Sequence, residues 1–270
     1  YHKNPKILNN TFNKLGGSTN IYGYNYLYYP SGNAEFKGNT INGYRYGCYM
    51  YASAGSQTWD VQDNTLNEVG YYGFYISNSS AGRAEKVTLK NNSISMNLVS
   101  TFAYGLYLGY VDGAQGRSEV SNNMINIDMP STSTVYTFYA YALDSVDVVF
   151  NTFAVQSSNG ATGGSTYGIY GGSTGSNYGT KFRNNIFANG VGGLAGNFLT
   201  AGVSSGMYND MDYNIFYGTT SNLVTWGSTS CGSLSALQSA SSNEANGQWG
   251  DPSFVSTSDA HVEGLIADAT

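Results

Sequence analysis

Four residues ahead of a recurring asparagine the chain carries Lys6, Glu35, Asp60, Thr88, Glu119, Asp147, Lys181 and Asp210. Seven of these eight are charged, in a chain where charged residues make up only 10%. If the segments stack, Glu35 beside Asp60 and Glu119 beside Asp147 set two carboxylates one strand apart. Such a pair could ligate Ca²⁺, or could raise one pKa for acid–base work. Two residues before the asparagine stand Leu8, Lys37, Gln62, Lys90, Ser121, Val149, Arg183 and Asp212. Lys37 is then diagonal to Asp60, Lys90 is diagonal to Glu119, and Lys181 lies next to Asp147. Lys181 and Arg183 face Asp210 and Asp212 as two ion pairs. The expectation is a solvated face of mixed charge, with no catalytic residue and no metal site assigned and calcium kept as an open alternative.

The second candidate is aromatic. "YGCYM" (46–50), "YGFYI" (72–76), "YGLYL" (104–108), "YTFYA" (136–140) and "YGIYG" (167–171) repeat one pattern. With Cys48, Phe74, Leu106, Phe138 and Ile169 pointing inward, strand alternation sends Tyr49, Tyr75, Tyr107, Tyr139 and Tyr170 outward. The preceding outward slot then holds Gly47, Gly73, Gly105, Thr137 and Gly168, which would leave the rings open on one flank. These five tyrosines are the candidate glycan-binding residues. The competing reading is a structural ladder, because rings repeated at strand spacing stack on one another and present their edges outward.

The elements that would carry these residues come from a repeat. "ILNNTFN", "FKGNTIN", "VQDNTLN", "VTLKNNSISM", "VSNNMIN", "VVFNTFA", "FRNNIFA" and "MDYNIFY" align on Asn10, Asn39, Asn64, Asn92, Asn123, Asn151, Asn185 and Asn214. The intervals are 29, 25, 28, 31, 28, 34 and 29 residues, a range typical of solenoids. Three positions before each anchor and two after it every residue is apolar, from Ile7 and Phe12 to Met211 and Phe216. No helical periodicity runs between the anchors. Each unit reads as a strand, an asparagine turn, a second strand and, in most units, a third. The expected fold is all-β: a single-domain right-handed parallel β-helix of about eight three-strand coils. Asparagine suits the turn because it tolerates the left-handed region, and its stacked amides form a ladder.

Bulk properties narrow the class. The net charge of −6 disfavours nucleic acid and anionic membrane as partners. No apolar stretch approaches membrane-spanning length, so membrane insertion is not expected. Cys48 and Cys231 form neither a disulfide framework nor a zinc spacing, and the inward Cys48 behaves as a small hydrophobe. The Asn-, Ser-, Thr- and Tyr-rich composition fits an extracellular or cell-surface bacterial protein.

The units resemble the parallel β-helix repeats of the pectate-lyase-like superfamily and of secreted bacterial surface proteins, over roughly residues 5–220. The resemblance implies that the third strand floors a polysaccharide groove. It also implies that an enzyme of this fold would need clustered acids with a Lys or Arg base, or converging aspartates; the outward slots here are Gly, Thr and Tyr. Residues 1–225 are read as coils. Residues 226–270 are read as a closing segment with a short helix at "SLSALQSA" (233–240), Trp226 and Trp249 packing in the cap, and a "D-P-x-F-V" tail of the kind that closes many such domains. The chain is expected to be part of a longer polypeptide. The expected role is a stalk or adhesin-like module with glycan binding along the tyrosines. The alternatives are a polysaccharide lyase or glycoside hydrolase using the same groove, and a purely structural unit that associates head to tail.

Overall fold

The computed structural model describes the chain except at residues 1, 15–23, 29, 54–56, 80–81, 100, 130–132, 159, 161–164, 172–177, 199–207, 209, 257–258 and 263–270. The backbone winds as a parallel β-solenoid of about seven turns, the eight asparagine anchors enclosing seven intervals. Each turn contributes one strand to each of three nine-stranded sheets. The first sheet runs before the asparagine turn, as in Gln57–Gln62, Lys86–Lys90 and Ser118–Ser121. The second follows it, as in Thr65–Asn67, Ser93–Met96 and Met124–Asp128. The third holds Tyr46–Tyr51, Tyr72–Ser77, Phe102–Val111, Thr134–Leu143 and Ser165–Gly171. Successive coils pair in parallel and in register, for example Leu89 with Val120 and Ile94 with Ile125.

The apolar residues that flank each asparagine fill the bore. Fourteen of the sixteen are buried, and Ile7 and Phe12 of the first coil are partly buried against the same core. Like stacks on like along the axis: the Phe153 and Phe187 rings lie 5.4 Å apart at 4°. This continuous column of buried side chains replaces the single compact core of an ordinary domain.

The ladder of asparagines forms in full. Each Nδ2 donates to the Oδ1 of the next anchor at 2.8–3.1 Å, from Asn10 to Asn39 through Asn185 to Asn214. The same Oδ1 accepts the preceding anchor's backbone N–H at 2.9–3.1 Å. From Asn39 onward the second amide hydrogen goes to a carbonyl of the preceding coil, such as Leu89 O for Asn123 at 2.9 Å. Every amide valence of a buried rung is used, which is what burial of an amide requires.

One expectation about this turn is corrected. The left-handed residue is the one before the anchor: Asn9, Gly38, Asp63, Asn91, Asn122, Phe150, Asn184 and Tyr213 all have φ between 53° and 64°. The anchors serve the ladder, and their neighbours make the corner. Six of the eight corner residues are Asn, Asp or Gly, the types that bear this conformation at least cost.

The carboxyl end closes the bore. The helix Leu234–Ser241 starts one residue later than expected, at an N-cap Ser233 whose side chain accepts from the Ala236 N–H. Trp226 packs on Phe198 and Tyr208, and Trp249 lies 6.1 Å from Phe216. The strand Gln248–Trp249 adds to the second sheet, while Thr229–Cys231 turns back antiparallel on the third. A hairpin of Phe254–Ser256 and Asp259–Val262 follows, and its Phe254 and Ala260 pack on Ala154, Ile186 and Ala188. The last residues of the expected closing tail, 263–270, lie outside the described residues. No helix among the described residues is long and apolar enough to cross a membrane.

Candidate functional site

The third sheet carries two tyrosine columns where the sequence pointed to one. Tyr49, Tyr75, Tyr107, Tyr139 and Tyr170 pair in register from coil to coil, and so do Tyr46, Tyr72, Tyr104, Tyr136 and Tyr167. All ten are half-buried. Strict alternation cannot place residues i and i+3 on one face, so the strand must break its pleat between them. The break falls at the glycine. Gly47, Gly73, Gly105 and Gly168 face inward, contrary to the outward slot expected for them. A Cβ at Gly73 would lie 2.2 Å from the Gly105 carbonyl oxygen and 2.8 Å from Ile94 Cγ2. Only the absence of a side chain lets these backbones approach so closely. Thr137 departs from the column and is buried, its hydroxyl donating to the Gly168 carbonyl. The rings are therefore not open on one flank; the second column fills it.

The packing of the rings decides what this face offers. Within the column of candidates, centroids are 4.2–4.9 Å apart and the planes within 20° of parallel. Tyr72, Tyr104, Tyr136 and Tyr167 stack likewise at 4.8–5.1 Å. Between the columns the rings meet edge to face, as Tyr136 and Tyr139 do at 5.3 Å and 82°. Tyr26, exposed at 46%, closes the amino-terminal end edge-on against Tyr46 and Tyr49. This herringbone satisfies the ring quadrupoles in both directions and covers the ring faces with other rings. The surface consists of phenol edges and hydroxyls, with Tyr75 sharing hydrogen bonds with Ser77, Tyr49 and Tyr107. At Tyr72, Tyr104, Tyr107, Tyr136 and Tyr139 burial first, and then the neighbouring phenols, push the hydroxyl pKa upward; Tyr139 reaches about 12. These five phenols thus retain their protons, a set of donors and acceptors without charge.

The charged column of the first sheet is engaged in ion pairs. Lys6 meets Glu35 at 2.5 Å, Lys37 bridges Asp60 at 2.5 Å and Glu35 at 3.4 Å, and Lys90 meets Glu119 at 2.9 Å. Lys6, and after it Lys37, hold the Glu35 carboxyl below its ordinary value. Two pairings differ from expectation. Asp147 is gripped by Arg117 at 2.5 Å rather than by Lys181, and both Lys181 and Arg183 turn to Asp210. Asp212 instead accepts from the Asn246 backbone and amide at 2.7 and 2.9 Å. Each carboxylate pair proposed from the sequence therefore has a cation inserted beside it. Among the described residues no three of His, Cys, Asp and Glu come together.

Two features were missed, the second tyrosine column and Glu244. The i, i+3 spacing of tyrosines in "YGCYM" and its relatives, with glycine between, was the available signal for the second column. Glu244 ends the asparagine ladder: Asn214 donates to its carboxylate through Nδ2 at 2.7 Å and through its backbone N–H at 3.3 Å. In register the next anchor slot belongs to Gly247, and the Glu244 carboxylate occupies the space a Gly247 side chain would need. Its pKa rises to about 7, chiefly through burial, opposed by the Asn214 hydrogen bonds. Cys48 and Cys231 are free and buried, and burial raises the Cys48 pKa.

Comparison with protein-family models, with curated proteins and with solved structures finds no match.

Proposed function

We propose that this segment is a non-catalytic, stalk-like or adhesin-like module of a secreted or cell-surface protein, whose tyrosine face holds an extended glycan. Right-handed winding and kinship with the pectate-lyase-like superfamily belong to the same reading. The observation that carries it is the double tyrosine column: ten half-buried phenols across five coils, in a chain otherwise poor in surface charge. Since the ring faces cover one another, the glycan is held by phenol hydroxyls and ring edges along the strip. Low charge and abundant Asn, Ser, Thr and Tyr support an extracellular setting.

The same ring stacking favours a second reading, a purely structural rod that assembles head to tail. A glycan array separates them. Tyr107→Ala and Tyr139→Ala are each expected to lower binding at least tenfold, and the Phe variants, which keep the stack and lose the hydroxyl, severalfold. Undiminished binding by both Ala variants would dismiss the tyrosine face. Absence of binding by the unaltered chain, with rods lengthening under electron microscopy as concentration rises, would establish the structural reading. New reducing ends or unsaturated products from pectins, alginates or sulfated galactans would overturn the non-catalytic assignment.

A further inference from the structure

The corner column contains two residues that local physics does not select. Six corners are Asn, Asp or Gly, but coils six and eight place Phe150 and Tyr213 in the left-handed region, at φ 58° and 60°. A bulky side chain is strained there, and neither residue recovers the cost by burial. Phe150 is 59% exposed and Tyr213 49%. Among the described residues neither ring contacts another ring or a cation. Backbone strain held at an exposed aromatic is the kind of outlier that points to function rather than to folding.

Their placement gives the ligand's geometry. The Phe150 N–H donates to the Arg183 carbonyl at 3.2 Å and the Asn184 N–H to the Asp212 carbonyl at 3.3 Å, so the three corners at 150, 184 and 213 rise in register. Side chains of this column do project along one edge, since Asn91 Nδ2 reaches Asp63 Oδ1 one coil away at 3.0 Å. Two strand spacings separate Phe150 from Tyr213, about 9.5 Å along the axis. That is close to the length of two pyranose residues in an extended β-linked chain, which turns the same face outward every second residue. The exposed Asn184 lies between them with an amide to offer the intervening hydroxyls. We infer that Phe150, Asn184 and Tyr213 form a platform along the asparagine edge for an extended, neutral β-1,4-linked polysaccharide lying parallel to the solenoid axis.

This shares with the proposed function only its ligand class; the contact lies on another part of the surface and works through open ring faces instead of stacked edges. An uncharged chain suits the site, because Arg183 and Asp212, the charges adjoining these corners, already have protein partners.

The test is affinity electrophoresis of the whole chain in gels containing soluble β-1,4-glucan, β-1,4-mannan or β-1,4-xylan. Phe150→Asn and Tyr213→Asn install the residue preferred at the other corners, so the variants are expected to fold at least as well as the parent. The unaltered chain is expected to be retarded by at least one of the three polymers, each single variant to lose most of the retardation, and the double variant to lose it tenfold or more. Tyr107→Ala, on the tyrosine face, is expected to keep it, so failure here and failure of the tyrosine reading are separate results. Retardation unchanged in the double variant, or absent for all three polymers, would overturn the platform. So would a dimer in sedimentation that the double variant abolishes while no polymer binds, because the edge would then be a contact between copies.

Discussion

Two columns of the solenoid begin with the same residue and diverge. The anchors remain Asn from Asn10 to Asn214. The column three residues further along, on the outside of the second sheet, reads Asn13, Asn42, Asn67, Ser95, Asn126, Ala154, Ala188 and Tyr217. It too starts as an amide ladder, with Asn42 donating to Asn13 at 2.7 Å and Asn67 to Asn42 at 2.9 Å. The bonds of the outer ladder end at Asn67, where the next coil has Ser95, and the column turns to alanine further on, where the chain's carboxyl-terminal hairpin covers the sheet. What holds a column of asparagines is therefore not stacking itself. A buried amide is retained where each coil supplies a carbonyl, a backbone N–H and a second amide to complete it; an exposed one has water as an alternative and is free to change.

The comparison breaks most visibly at an inner rung. Asn123→Ala removes the acceptor of the Asn92 N–H and amide, and the donor to Leu89 O and Asn151 Oδ1. Several buried groups lose their partner at once, and a loss of about 3–5 kcal/mol in urea denaturation is expected. Asn42→Ala, on the outer column, should cost about 0.5 kcal/mol or less. Equal losses at the two sites would show that amide stacking, rather than burial, carries the stabilisation.

The inner ladder's end offers the next largest effect, and it depends on pH. Glu244 is fully buried and its folded pKa is raised from 4.5 to about 7. Burial is the leading cause; Asp212 adds to the rise, while Asn214 and Arg183 oppose it. A carboxyl with a raised folded pKa holds its proton more tightly in the folded state. Its contribution is complete below the unfolded pKa and disappears as pH climbs through about 7. Between pH 5 and pH 9 this group alone should lower stability by about 2–3 kcal/mol. Glu244→Gln keeps an oxygen for Asn214 and removes the charge, so the denaturation midpoint should become nearly independent of pH over that window. An undiminished slope in the Gln variant would place the titration elsewhere.

The same contrast explains what could be read from the sequence. The h-x-x-N-x-h phrase is legible because an inward amide and its flanking apolar residues must recur in every coil; eight repeats expose the rule. The left-handed corner was assigned to the wrong neighbour because Asn stands at both positions in four coils, as in "LNN" and "KNN". Alternation misplaced Gly47 and Gly73 because a pleat break is dictated by a close approach between coils, which a single strand does not reveal. Glu244 was invisible for another reason: it substitutes for an anchor from three residues away, through a side-chain trajectory that no spacing records. The ion pairs of the first sheet were legible where partners are diagonal, as with Lys37 and Asp60. They were not where a turn residue such as Arg117 reaches back to Asp147.

The last predicted effect is small but the sharpest, because it reverses sign. Asn126 belongs to the outer column, yet only 4% of its surface is exposed, and its Oδ1 meets no donor among the described residues. Its strand, Met124–Asp128, lies against the hairpin strand Asp259–Val262, and the next two positions of its column are Ala154 and Ala188. A buried acceptor left without a partner loses solvation and gains nothing in exchange. Asn126→Ala should thus leave stability unchanged or raise it by up to about 1 kcal/mol, although the residue is buried almost as fully as the inner anchors. Two buried asparagines replaced by the same residue would then move the denaturation midpoint in opposite directions. The difference between them is whether the coil on either side completes the amide. A loss at Asn126 comparable to that at Asn123 would mean that a water or a segment outside the described residues supplies the missing donor, and that the outer column is held by the same rule as the inner one.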